Sequence, residues 1–268
     1  MTVVLALLVG FGVAALTAPV GVSGAVFLLP VQLSGFGVPN PRVTPTNLLY
    51  NVVSGPGALL RYRRQQQWDV ALVRALLAGS LPGVAVGAVL RVFVLPGADA
   101  FRLVAAAVLV PTGLVLLRRR SPSARGPDDV RPWARRTSRV APLAFVVGTV
   151  GGVYGIGGGS VLGPLLVGAG LSVRAVAPAA LLSTFVTSVA GVVSFAVIGA
   201  LASESAAATA GGPIAPDWGL GLALGLGGLV GGYVGARLQP RVPETLLRVG
   251  LGVLALAVGV GYVVQTAS

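Results

Sequence analysis

Cysteine, histidine and lysine are all absent from the 268 residues. Without cysteine or histidine the chain has no disulfide, no thiolate or imidazole metal ligand, no haem ligation, and no Cys or His to act as nucleophile or base. No cofactor or metal is expected. Charge is scarce as well: 10% of residues are charged, where a soluble domain carries about 25%. That is too little to cover a globule in water, so the solvent must be largely lipid.

What is abundant fits that solvent. Hydrophobic residues make up 55%, mean hydropathy is +0.91, and there are 40 glycines and 19 prolines. In a polar chain so much Gly and Pro would signal disorder. In an apolar one it signals membrane helices that pack closely and break at set points. The net charge of +12 comes from arginine alone, and eight arginines lie between Arg118 and Arg139. Beside apolar spans, such a cluster is read as a cytoplasmic loop facing anionic lipid, and nucleic acid is not expected as a partner. The first basic residue is Arg42, so no charged leader precedes the apolar start, which is expected to remain as a membrane segment.

Uncharged runs divide the chain into eight apolar zones: 1–41, 43–60, 75–90, 103–117, 140–173, 175–203, 218–236 and 249–268. A spanning helix needs about 20 residues. Zones 1–41 and 140–173 exceed that, so each must break. The expected breakers are the segment from Ala18 to Gly24, followed by Pro30, and the glycines at 151, 152, 155 and 157–159, followed by Pro164.

These breakers repeat. At an offset of 134, Gly21, Gly24 and Pro30 fall on Gly155, Gly158 and Pro164; at 133, Pro45, Leu48, Leu49 and Ser54 fall on Pro178, Leu181, Leu182 and Thr187. At 148, Gly83, Gly87 and Ala88 fall on Gly231, Gly235 and Ala236. One internal duplication explains this. The expected organisation is a repeat over 1–118, an Arg-rich cytoplasmic linker over 119–139, and a second repeat over 140–268. The loop Arg61–Arg74 also reads as cytoplasmic. Its counterpart, 201–217, has no arginine, carries Glu204 and Asp217, and reads as external. Equivalent loops on opposite sides require inverted halves with an odd number of crossings each. The fold expected is all-α and polytopic, about eight transmembrane segments in two inverted repeats with broken first helices.

The segment Val153-Tyr154-Gly155-Ile156-Gly157-Gly158-Gly159-Ser160 with Pro164, and the stretch Ala179 to Ser188, resemble the TauE/SafE sulfite exporter family, and the likeness covers nearly the whole chain. The first break has fewer glycines than the family usually shows there. The resemblance implies an integral membrane permease for small anions such as sulfite or an organosulfonate, in a prokaryotic plasma membrane.

The residues point the same way. Gly157, Gly158 and Gly159 lack a Cβ, so the backbone there can unwind, and a half-helix starting at Ser160 would turn its positive dipole end toward an anion. Close helix packing is the competing use of such glycines. Gly21, Ser23 and Gly24 are the counterparts in the first half. Thr44, Asn47, Asn51 and Ser54 share one helical face, repeated in part by Thr184 and Thr187 with Ser183 and Ser188 adjacent. Hydroxyls and amides there can replace an anion's hydration shell or simply bond helix to helix. Gln32 and Tyr50 are weaker candidates. The oxyanion is expected on the Gly157–Ser160 backbone with Thr184 and Thr187, without a buried arginine; failing that, at Asn47, Asn51 and Ser54. Arg42, Arg61, Arg174, Arg237 and Arg248 are read as snorkelling anchors before anion-concentrating groups. All seven carboxylates lie at loops or ends, which leaves a proton relay unsupported. Export of an anion does not need one, because the membrane potential supplies about 2.3 kcal/mol per charge per 100 mV. The alternatives are a non-transporting scaffold and, with no activated Ser or Thr, an intramembrane enzyme; the sequence leaves a homo-oligomer open.

Overall fold

The computed structural model describes residues 2–39, 42–64, 69–94, 99–118, 136–201 and 214–267. Most of the 119–139 linker, including Ser121 and Ser123, and the greater part of the 201–217 loop, with Glu204, lie outside the described residues. Within them all regular structure is helical: α1 (Thr2–Thr17), α2 (Ala25–Pro30), α3 (Val43–Arg64), α4 (Val70–Phe93), α5 (Asp99–Arg118), α6 (Thr137–Tyr154), α7 (Gly159–Gly168), α8 (Val173–Leu201), α9 (Trp218–Leu238) and α10 (Glu244–Ala267). A 3-10 turn over Ala18–Val20 ends α1, and a π turn over Val31–Gly35 extends α2.

Both long apolar zones break, and each break turns on one left-handed glycine. Gly21 (φ 76, ψ 20) and Gly155 (φ 73, ψ 20) adopt the left-handed conformation after the last helical residue. In the first, Val22 N–H donates to Thr17 O at 3.3 Å; in the second, Ile156 N–H donates to Gly151 O at 3.1 Å. This is the Schellman stop, which uses glycine because a Cβ penalises positive φ. The breaks are narrower than the sequence reading: Gly152, Val153 and Tyr154 complete the last turn of α6, and α7 already starts at Gly159. Once the stop is made, Gly157, also at positive φ, is enough to turn the chain back.

Packing explains the glycine content. On α4, Gly79, Gly83 and Gly87 lie against the carbonyls of Ala141, Phe145 and Thr149 on α6. On α9, Gly227, Gly231 and Gly235 lie against the carbonyls of Leu7, Phe11 and Ala15 on α1. A Cβ at any of these six would collide with backbone. Lipid gives no hydrophobic drive for helices to associate, so close backbone approach has to do it. Around this interior, Leu8, Leu16, Val146, Leu226 and Val230 are exposed, as suits a lipid-facing surface.

Each first helix therefore packs on the fourth helix of the other half: α1 on α9, α6 on α4. The remaining main pairings are α3 with α9, α8 with α4, α5 with α10 and α3 with α8. Exchanging the halves maps this set onto itself. Contacts also give directions. Thr46, Val53 and Ala58 meet Gly221, Gly225 and Gly232 in rising order, so α3 runs parallel to α9, as α1 does; α4 runs parallel to α6 by its glycine stripe. Gly55 meets Phe185 while Leu48 meets Gly191, so α3 and α8 cross antiparallel.

Among the described residues, five helical stretches are long and apolar enough to cross a membrane: Thr2–Val20, Val70–Phe93, Val173–Leu201, Trp218–Arg241 and Thr245–Thr266. Helix α3 has the length but not the apolarity, because Thr44, Thr46, Asn47, Asn51 and Ser54 face the interior, all buried.

Candidate functional site

The two breaks and the middles of α3 and α8 meet in one buried polar layer. Asn51, 2% exposed, ties the breaks together: Ser23 Oγ donates to its Oδ1, and its Nδ2 donates to Gly155 O at 3.5 Å. One turn away, Asn47 Nδ2 donates to Ala25 O and its Oδ1 accepts from Gln32 Nε2, both at 2.8 Å. On the α8 side, Thr187 Oγ1 accepts from Gly158 N–H at 3.1 Å and donates back to Ser183 O at 2.6 Å. Ser160 and Thr184 hydroxyls lie 3.3 Å apart, as do those of Ser80 and Ser183.

All thirteen sequence candidates are thus in one region, but they fall into two groups. Ser23, Gly24, Asn51, Ser54 and Thr184 line a cavity of about 30 Å³, together with Tyr50, Thr17, Leu181 and Phe185 and small residues of α1, α3 and α9. That holds about two waters. Among the described residues, Tyr50 is the single titratable side chain in the lining. Gly24 sits against the Tyr50 hydroxyl, where a Cβ would collide with it. Gly21 lies away from this space, packed on Ala177. Gly157, Gly158, Gly159, Ser160, Ser183 and Thr187 are buried and packed: a Cβ on Gly158 would lie 2.7 Å from Ser80 Cβ, and one on Gly157 2.8 Å from Thr184 Cγ2. The N–H that the sequence reading assigns to an anion is held here by Thr187. Asn47 is committed to α2 and its π turn.

Sequence reasoning missed what holds the break tips. Tyr62 Oη donates to Ala18 O at 2.9 Å, and Gln239 Nε2 donates to Pro19 O at 2.6 Å. At the other tip, Thr44 Oγ1 donates to Val153 O at 3.3 Å and accepts from Arg91 Nε at 3.3 Å. Arg91 is 2% exposed, so a buried arginine stands beside the second break. Ending an apolar zone at the first charge hid it, because α4 continues to Phe93. The repeat carries the signal, since an offset of 148 places Arg91 on Gln239. The proposed mouth arginines have ordinary roles where they are described: Arg42 Nε bonds Ala215 O at 3.4 Å and Arg174 bonds Val242 O at 3.0 Å, Arg61 is half-buried, Arg237 is exposed, and the Arg248 side chain lies outside the description.

Among the described residues, carboxylates stay out of this layer. Asp69 and Asp217 cap α4 and α9, accepting from Leu72 N–H at 2.9 Å and Leu220 N–H at 3.0 Å. Among the described residues there is no group of acidic or other side chains able to hold a metal ion.

Neither the curated proteins nor the solved structures contain a match to this chain. The sequence profile described as Sulfite exporter TauE/SafE matches residues 6–262, nearly the whole length. With that match, and with broken apolar helices meeting in a buried polar layer, the chain belongs to the TauE/SafE sulfite exporter family and is a multi-pass membrane protein.

Proposed function

We propose that the chain moves a small oxyanion, sulfite or a sulfonate, outward across a prokaryotic plasma membrane, and that the anion passes through the cavity lined by Ser23, Asn51, Ser54 and Thr184. The observation that carries this is the cavity's chemistry: hydroxyls and an amide set in an apolar wall, with no carboxylate among the described residues. Neutral donors can replace hydration around an oxyanion without trapping it, and an exported anion needs no proton relay where the potential drives it. The Gly157–Ser160 segment with Ser183, Thr184 and Thr187 belongs to the same pathway.

The halves, 1–118 and 140–268, are inverted repeats in this reading. Support comes from the antiparallel crossing of α3 and α8 and from α1 and α6 running in opposite directions. Each half then makes three crossings, an odd number, with α1–α2 and α6–α7 as re-entrant hairpins. The arginine-bearing ends of α3, α5 and α9 face the cytoplasm together with the linker. Cysteines introduced as Ser121→Cys and Ser123→Cys are expected to resist an impermeant maleimide in intact cells; labelling from outside would reverse the orientation.

Radiolabelled sulfite and sulfonate flux in proteoliposomes tests the function. Each of Ser54→Ala and Thr184→Val removes one donor and should weaken apparent affinity by about 0.5–1.5 kcal/mol, up to about tenfold. Thr187→Val should act by releasing Gly158 N–H, with a similar cost. If wild-type protein moves none of these anions, the reading fails in favour of a scaffold; if it moves them and these variants match it, the pathway lies elsewhere.

A further inference from the structure

The cavity has an unopened counterpart. Applying the repeat offsets to its lining takes Ser23 and Gly24 to Gly157 and Gly158, Tyr50 and Asn51 to Ser183 and Thr184, Ser54 to Thr187, and Gly55 to Ser188. Thr184 returns to Asn51, so the two sets share these residues at the crossing of α3 and α8. The counterpart positions are closed. Gly158 and Gly148 press on Ser80, Gly152 on Val84, and Gly191 on Leu48, with a Cβ at Gly191 only 2.9 Å from Leu48 Cδ1. Within this closed layer one group is unsatisfied: Ser188 Oγ is fully buried and has no hydrogen-bond partner. It faces Gly157, 3.0 Å from where a Cβ would stand. Buried hydroxyls without partners are rare and costly, and each calls for an explanation, of which a water or an ion is one.

We propose that these residues form a second, outward-facing oxyanion site, in which Gly158 N–H and the hydroxyls of Ser183, Thr187 and Ser188 serve as Gly24, Tyr50, Ser54 and their neighbours do in the open cavity. In the orientation proposed above, the open cavity reaches from the middles of α3 and α9 toward their cytoplasmic ends, and the closed layer from the middles of α4 and α8 toward their external ends. Opening one layer while closing the other exchanges the two halves' conformations, which inverted repeats permit at little cost because both end states use the same contacts. Ser188 gains its partner, water or an oxyanion, when its layer opens. That the layer takes an oxyanion rests on the transport function proposed above, and that it opens outward rests only on the orientation proposed there.

The chain lacks cysteine, so single thiols report access directly. In intact cells, Ser188→Cys should react with an impermeant maleimide within about tenfold of the rate at Trp218→Cys, an exposed position at the external end of α9. Ser183→Cys should behave likewise, whereas Ser54→Cys should react only from the cytoplasmic side in inverted vesicles. Leu116→Cys, buried on α5, should stay unlabelled. Ser54→Phe, filling the cavity and holding it open, should slow labelling at Ser188→Cys by about tenfold. Protection of Ser188→Cys and Ser183→Cys while Trp218→Cys reacts overturns the inference; so does labelling that Leu116→Cys matches, since that is general loosening. If wild-type liposomes show no flux but Ser188→Cys labels from outside, the transport reading falls and the outward opening stands.

Discussion

Replacing Gly83 by leucine is expected to unfold or misassemble the protein, with a stability loss of about 3 kcal/mol or more, as for severe overpacking in a core. The reason is local. Gly83 is the middle residue of the stripe by which α4 lies on α6, and its missing Cβ leaves room for Phe145 O, with Thr149 N only 2.8 Å from where that atom would be. Those are backbone atoms of a helix, so no rotamer change relieves the clash and α4 must move away. The same replacement at Gly231 should act alike through α1 and Phe11 O. Gly12 gives the contrast, since a Cβ there meets nothing within 4 Å. Gly12→Ala should leave stability unchanged or raise it by up to about 1 kcal/mol through helix propensity. Thermal unfolding in detergent and size-exclusion profiles read all three. Equal losses at Gly83 and Gly12 would show that the stripe does not drive assembly.

The largest functional effect is expected from Asn51→Asp. The substitution keeps shape and removes one donor, so folding should survive. It also puts a carboxylate in a cavity that has none. At an effective dielectric near 20, like charges about 4 Å apart repel by about 4 kcal/mol, which approaches a thousandfold in affinity. Sulfonate flux should therefore collapse at neutral pH and recover on acidification, as the new carboxyl takes a proton and the repulsion ends. Asn51→Leu should lose flux at every pH, because it strands Ser23 Oγ and Gly155 O, at about 1–3 kcal/mol for each unsatisfied group. If flux through Asn51→Asp equals wild type at neutral pH, the anion does not pass this cavity.

Much of this organisation is legible in the sequence. Scarce charge and two overlong apolar zones force a membrane solvent and two breaks, since lipid tolerates neither exposed polar backbone nor a helix of twice the needed length. Gly21 and Gly155 mark the stops because only glycine takes positive φ without penalty. The repeat offsets of 133, 134 and 148 pair the residues that turn out to have paired roles. What the sequence cannot supply is which surfaces meet. Hydropathy carries no record of α1 choosing α9 over its own half, because every face of these helices is apolar and the choice rests on where glycines let two backbones touch. Nor does it separate Asn51, at a cavity, from Asn47, spent on holding α2: both lie on one face of α3, and only the position of the turned-back hairpin decides which amide has a free space beside it. Arg91 shows the same limit from the other direction. On a sequence it ends an apolar run; in the fold α4 carries it past that end and into contact with Thr44, where the tertiary structure makes it part of the second break.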